Sequence, residues 1–276
     1  MYRLRLTLAY DGAAFAGSQI QPGQRTVQGD VERALTALDG QPVRAVFAGR
    51  TDTGVHAVGQ VAHADVHRER EPETWWQGLN GLLSPDVRVT NLAVVPDGFH
   101  ARYDATWRQY RYYVWNGEVQ PPLGRGTMWH RRSPLDVAAM NMAARTLIGT
   151  HDVAAFVGDG KGLPESDAGT IRTMRVAEWT TERRLEAIAG RALMFTIEGN
   201  GFLPHMVRNL VGSLVVIGMG DAPVDWLETL LRGRDRRQAA PTAPPHGLIL
   251  WQVRYSRECD DGEHDVAGRT PTTREK

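Results

Sequence analysis

The first 95 residues pass through six stretches of strand or helix periodicity, and their order restricts the fold more than any other feature of the chain. Arg3 to Tyr10 alternates apolar and polar residues as a half-buried strand does. Val27, Val31, Ala34, Leu35 and Leu38 then fall on one side of a helix from Val27 to Leu38, with Thr26 placed as its N-cap. Apolar, β-branched segments at Val43 to Phe47 and Gln60 to Val66 predict two strands, Pro72 to Leu83 a helix and Val87 to Val95 a further strand. The resulting βαββαβ order is the split βαβ, ferredoxin-like arrangement, an antiparallel sheet backed by helices.

A second cycle follows. Strands are predicted at Gln109 to Asn116, Thr170 to Trp179, Arg191 to Glu198 and Gly247 to Val253. Helices are predicted at Pro134 to Ile148, Pro204 to Gly218 and Val224 to Arg232, the last with a capping-box spacing of Asp225 to Glu228 and a stop at Gly233. The element order repeats without a sequence repeat. The expected fold is therefore α+β: two ferredoxin-like halves, 1–105 and 106–255, forming a mostly antiparallel mixed sheet with helices on one face and a central cleft. Residues 256–276 are polar and aperiodic and predict a disordered tail.

At 276 residues and 42% hydrophobic, the chain has ample material for a buried core. Its 32 basic and 32 acidic residues cancel, which speaks against a wholly basic nucleic-acid-binding surface. The distribution is less even. Thirty of the basic residues are arginine, and between Asp97 and Arg132 six arginines (102, 108, 111, 125, 131 and 132) face three acids. Phe99, Tyr103, Trp107, Tyr110, Tyr112, Tyr113 and Trp115 interleave with them. Arginines mixed with aromatics offer phosphate contacts and stacking faces for exposed bases; the same pattern also suits a strand with one buried aromatic side. The lone Cys259 excludes a disulfide framework and a cysteine-based zinc site, and fits a reducing cytoplasm. The amino-terminal MYRLRLTLAYDG has no signal-peptide run, and the longest apolar stretch, Leu210 to Met219, is too short to span a bilayer.

Residues 49 to 57, GRTDTGVHA, carry the chemistry. They place Arg50, Asp52, Thr53 and His56 on a short loop between two predicted strands, where catalytic groups are commonly mounted. A solvent-reached aspartate is a carboxylate at neutral pH and needs no base to become nucleophilic. The competing reading is a plain surface turn, since Asp-Thr-Gly is good turn chemistry. His63 and His67 have the i, i+4 spacing of metal ligands, but that spacing converges on a helix and this segment reads as a strand, so no metal is expected. Arg208 interrupts an otherwise apolar helix and calls for a carboxylate partner, either Asp52 across a central cleft or a structural acid such as Glu198. His205, at the start of that helix, suits a capping or exposed role. GDGKG at 158–162 lacks the spacing of a phosphate loop and reads as a flexible insertion.

Taken in order, YDGAAFAG (10–17), TVQGDVERAL (26–35), FAGRTDTGVHA (47–57), FHARYDAT (99–106), RQYRYYVW (108–115), HMVRNLVGSL (205–214) and APPHGLIL (243–250) resemble the tRNA pseudouridine synthases of the TruA type, from Tyr2 to about Tyr255. The resemblance implies a cofactor-free, metal-free homodimeric isomerase that converts uridine to pseudouridine at positions 38 to 40 of the tRNA anticodon stem-loop. It implies Asp52 as the attacking aspartate, Tyr110 as the tyrosine stacked on the target base, and Arg208 as the basic partner of the aspartate. Arg50 and Arg102 fall at tRNA contacts that assist nucleotide extrusion, and Phe99 and His100, in the same motif as Arg102, at substrate-binding positions. The chain departs from the family pattern at Ser18, where a tryptophan is usual, at Thr53, usually alanine, and in a longer, Gly-rich 158–169 segment.

The residue types suit that chemistry. Isomerisation breaks the N1–C1′ bond and rejoins the base through C5, so the enzyme must reach sugar and base, and a paired base must first be flipped out at a cost of a few kcal/mol. Two other readings stand beside it. An aspartic protease would need a second Asp-Thr-Gly or a symmetric dimer sharing the site. A non-catalytic RNA-binding module would show no turnover.

Overall fold

The computed structural model describes residues 1–158, 169–182 and 188–256. The tail beyond Ser256 and the GDGKG run beyond Gly158 therefore lie outside the described residues. The fold is α+β, and the chain divides into two compact units: Met1–Thr106 together with the chain from Gln252, and Trp107–Trp251.

In the first unit β1 (Tyr2–Tyr10) lies between β3 (His56–Val66) and β4 (Val87–Val95), antiparallel to both. The short β2 (Ala45–Phe47) pairs with β3. Strand order β4-β1-β3-β2 is that of the split βαβ motif. The predicted alternation in β1 is visible in its burial, with Leu4, Leu6 and Leu8 fully buried and Arg3, Arg5 and Thr7 half-buried between them. Truncating one of those leucines to alanine would cost about 2–5 kcal/mol. Helices α1 (Val27–Asp39) and α2 (Pro72–Leu82) pack on each other and on β2 and β4, burying Val27, Val31, Leu35, Trp75 and Leu79. Thr26 caps α1 as expected, its side chain accepting the Gly29 amide at 3.2 Å.

In the second unit β5 (Ala105–Asn116) pairs with β9 (Arg191–Gly199), β9 with β8 (Ile171–Glu182), and β8 with β7 (Gly149–Asp152), all antiparallel. β6 (Trp129–Arg131) joins β5 in parallel. β10 (Leu248–Tyr255), whose residues as far as Trp251 belong to this unit, is the other neighbour of β5. Helices α3 (Val137–Arg145), α4 (Met206–Gly218) and α5 (Trp226–Gly233) pack together, α3 also on β8, over a core that includes Leu193, Phe195 and Ile197.

Several boundaries differ from the sequence reading for identifiable reasons. The helix expected over 134–148 starts only after Asp136, whose side chain accepts the Ala139 amide at 3.0 Å. It ends at Arg145, where the chain tightens into i to i−3 hydrogen bonds at Leu147 and Ile148. α4 begins two residues late because His205 adopts a left-handed backbone, φ 60°. The capping box expected at Asp225 does not form: its backbone is helical and its side chain caps nothing. The stop falls on Arg234, left-handed at φ 55°, rather than on Gly233. β6 and β7, three and four residues long, were not anticipated, being too short for a periodic signal.

Candidate active site

The loop that carries Asp52 is held from below by buried polar groups of the first unit. α1 begins with amides that have no intrahelical partner. Two of them, Val27 and Gln28, donate to the carbonyls of Gly17 and Ser18, at 3.4 and 2.9 Å. Ser18 is then tied to Thr51 twice: its amide donates to the Thr51 carbonyl at 3.1 Å, and its hydroxyl accepts the Thr51 amide at 2.9 Å. The Thr51 hydroxyl lies 2.9 Å from the Tyr10 hydroxyl, and Gln60 Nε2 donates both to Tyr10 Oη at 3.4 Å and to the Gly49 carbonyl at 2.9 Å. Tyr10, Ser18, Thr51 and Gln60 are all buried. Burial pushes the Tyr10 phenol up to about 12 against the lowering effect of its Thr51 and Gln60 hydrogen bonds, so it stays neutral across the physiological range.

On this base residues 52 to 55 form a tight turn, closed by the Val55 amide donating to the Asp52 carbonyl at 3.1 Å. Gly54 sits at φ +79°, the left-handed third position of such a turn, where a side chain would be strained. The far side of the turn rests against the chain after β1. A Cβ on Gly12 would lie 2.0 Å from the Val55 carbonyl oxygen, so only glycine allows that approach. The Gly12 amide also donates to His56 Nδ1 at 3.1 Å, which gives buried His56 a structural role. Asp52 is half-buried and Arg50 exposed, on a rigid loop that presents a carboxylate with a guanidinium two residues before it.

Phe99, His100 and Arg102 lie on the turn after β4. Phe99 is buried against Tyr255, ring centroids 5.1 Å apart, and its carbonyl accepts from Arg3 at 2.7 Å, so its ring belongs to the packing of this unit. His100 is half-buried and Arg102 exposed. His63 is buried, and its Nδ1 accepts the Ala101 amide at 3.0 Å. Burial, then the charges of Arg3 and His100, hold the His63 imidazole down to about 4. His67 Nδ1 lies 2.8 Å from Asp39 Oδ2. Among the described residues no three His, Cys, Asp or Glu side chains group as metal ligands.

Tyr110 and Arg208 belong to the second unit. Tyr110 is buried in β5, with Phe202 edge-on at 5.0 Å. Tyr112, two residues on along the same strand, donates its hydroxyl to the Pro244 carbonyl at 2.8 Å. Burial pushes its phenol up, and the Arg208 charge acts in the opposite direction, so Arg208 is within electrostatic reach of this face of β5. Arg208 is half-buried in α4, a helix otherwise buried except at Val216. Its Nε donates to the Ala243 carbonyl at 2.8 Å while the Ala243 amide donates to its own carbonyl at 3.2 Å, which fixes the guanidinium. Glu198, the alternative partner considered for Arg208, is buried and accepts from Arg175 and from Gln109 Nε2 at 3.0 Å. Arg175 lies at an irregularity of β8, between Met174 and Val176, and its guanidinium sits over Trp107 at 4.5 Å.

Sequence reasoning missed the Tyr10, Ser18 and Gln60 supports. A fully buried glutamine in an apolar strand is the one signal that pointed toward them.

Residues 7–104 and 143–256 match a family model described as tRNA pseudouridine synthase. Curated proteins called tRNA pseudouridine synthase A are similar over nearly the whole chain. That of Bordetella parapertussis is 44% identical over 267 residues, covering 96% of this chain and 95% of its own length. The Solidesulfovibrio magneticus protein is 47% identical over 261 residues, 92% of each chain. The Coxiella burnetii protein is 41% identical over 258 residues, 92% of this chain and 94% of its own.

Proposed function

Because this chain belongs to the tRNA pseudouridine synthase family and isomerises uridine to pseudouridine in tRNA, we propose that Asp52 is the nucleophile and that the target uridines are those at positions 38 to 40 of the anticodon stem-loop. The observation that carries this reading is the half-buried carboxylate of Asp52 on a loop clamped by four buried residues, Tyr10, Ser18, Thr51 and Gln60. A nucleophile must be held in position without being engulfed, and this loop does both.

In the reaction the N1–C1′ bond breaks, C1′ bonds to C5, the C5 proton leaves and N1 gains one, so the product is an isomer and no cofactor is consumed. Asp52 supplies the electron pair that opens this sequence. Arg208 pairs with the carboxylate and keeps it ionised, and Tyr110 stacks on the base once it is flipped. Arg50 fills the gap left in the RNA, and Arg102 contacts its backbone. Phe99 supports the turn that brings His100 and Arg102 to the substrate. A chain with zero net charge and local arginine clusters binds a large polyanion best by combining surfaces, and we assign it a cytoplasmic homodimer that holds tRNA across both subunits.

The test is tritium release from tRNA transcripts carrying 5-tritiated uridine, with variants that replace U38, U39 and U40 singly and together by cytidine. Release that persists in the triple variant contradicts the anticodon assignment.

A further inference from the structure

The turn after β4 holds an aromatic surface that the isomerisation itself does not need. Tyr103 is 77% exposed, yet the turn beneath it is tightly bonded. The Asp104 amide donates to the His100 carbonyl at 3.1 Å, and the His100 amide to Asp104 Oδ2 at 2.7 Å. The Arg102 and Tyr103 amides both donate to His100 Nδ1 at 3.2 Å. Ala101 is fixed from both sides, its amide on His63 Nδ1 at 3.0 Å and its carbonyl on the Tyr255 hydroxyl at 2.7 Å. The Tyr103 ring is stacked on His100, centroids 4.3 Å apart and planes 29° from parallel, and His100 meets buried His63 edge-on at 4.8 Å. The Arg102 guanidinium carbon is 5.9 Å from the Tyr103 centroid.

A tyrosine fixed on so constrained a turn and still mostly in water forgoes the burial that makes aromatic side chains stabilising. A rigid aromatic face flanked by an arginine is instead what single-stranded nucleic acid binds: a base on the ring, its phosphate on the guanidinium. We propose that Tyr103, backed by His100 and flanked by Arg102, is a stacking platform for an unpaired base of the tRNA other than the one isomerised. The separation along β3 supports a second base. His63, to which the platform is anchored, lies seven residues beyond His56 at the Asp52 end of the strand, about 23 Å at roughly 3.3 Å per residue. The proposal rests on the tRNA reading given above.

Tyr103→Ala and Tyr103→Phe test it with an unmodified tRNA transcript as the probe. The alanine variant should bind the transcript about 5- to 100-fold more weakly, with the loss appearing in KM rather than kcat, and the phenylalanine variant should restore binding to within about twofold. Stacking releases no counterions, so the ratio between wild type and Tyr103→Ala should stay constant as salt rises, whereas Arg102→Ala should lose its effect. Thermal melts of both Tyr103 variants check folding, which an exposed ring should not govern. Wild-type binding by Tyr103→Ala, a phenylalanine variant as weak as alanine, or a difference that vanishes at high salt each overturns the platform while leaving the catalytic reading standing. A wild-type protein that neither binds nor converts the transcript overturns both.

Discussion

Ser18 and Thr51 exchange two hydrogen bonds, amide to carbonyl at 3.1 Å and amide to hydroxyl at 2.9 Å, across 33 residues of sequence. This pair transmits the position of the α1 N-terminus to the residue before Asp52. It also gives the serine a physical task at a position where an aromatic is usual in the family: its hydroxyl supplies the acceptor for a buried amide.

Ser18→Ala leaves the Thr51 amide buried without that acceptor, which should cost about 1–3 kcal/mol of stability. If the pair also positions Asp52, kcat should fall by more than tenfold while tRNA affinity holds. Thr51→Ser keeps the hydroxyl that meets Tyr10 and should behave like wild type; Thr51→Val, close in shape, should not. Steady-state kinetics beside urea melts separate the two effects. A Ser18→Ala enzyme with wild-type kcat and reduced stability makes the clamp purely structural.

The His63 imidazole is held down to about 4 in the folded protein against about 6.5 unfolded. Between those values the unfolded chain binds more protons than the folded one, so stability is full above pH 6.5 and declines as pH falls toward 4. The contribution is on the order of 2–3 kcal/mol at full effect. His63→Asn keeps an acceptor for the Ala101 amide and carries no titrating proton. Its stability should therefore decline less between pH 6.5 and 4 than that of wild type. Parallel curves for the two proteins would remove His63 from the acid response.

Arg208→Lys keeps the charge but loses the planar fork and the Nε bond to the Ala243 carbonyl. Pairing with Asp52 predicts a fall in kcat of about 10²-fold, the scale of losing one fixed electrostatic contact at a reacting centre, with only a few degrees' change in melting temperature. A large drop in melting temperature with kcat preserved would make Arg208 a structural residue of α4.

Light scattering should give twice the 30.6 kDa of the chain at micromolar concentration. Binding of tRNA should weaken by about 10²-fold or more between 50 and 200 mM salt, since contacts to phosphates release counterions. A monomer, or binding flat in salt, contradicts this part of the account.

The elements with long periodic patterns were legible in the sequence. β1, α1, β4, β9 and α4 appear within two residues of where Leu and Val spacing placed them, because burial on one face both writes the pattern and makes the element. β6 and β7 were not, since three or four residues carry no period. The end of α5 was misplaced because an arginine, Arg234, took the left-handed position that glycine usually fills. At the site, Asp52 and Arg50 stood out on a Gly-bounded loop. Their support did not: Ser18, Tyr10 and Gln60 reach the loop from 33, 41 and 11 residues away, and only the folded sheet brings them together.

The central claim is that the Asp52 carboxylate starts the isomerisation. Asp52→Asn changes one oxygen to nitrogen in a loop whose described clamp does not use that side chain. Tritium release from 5-tritiated uridine tRNA, measured beside tRNA binding, tests it most directly. The account predicts no detectable release with affinity within about tenfold of wild type, roughly 1.4 kcal/mol. Release at more than a few per cent of the wild-type rate would contradict it.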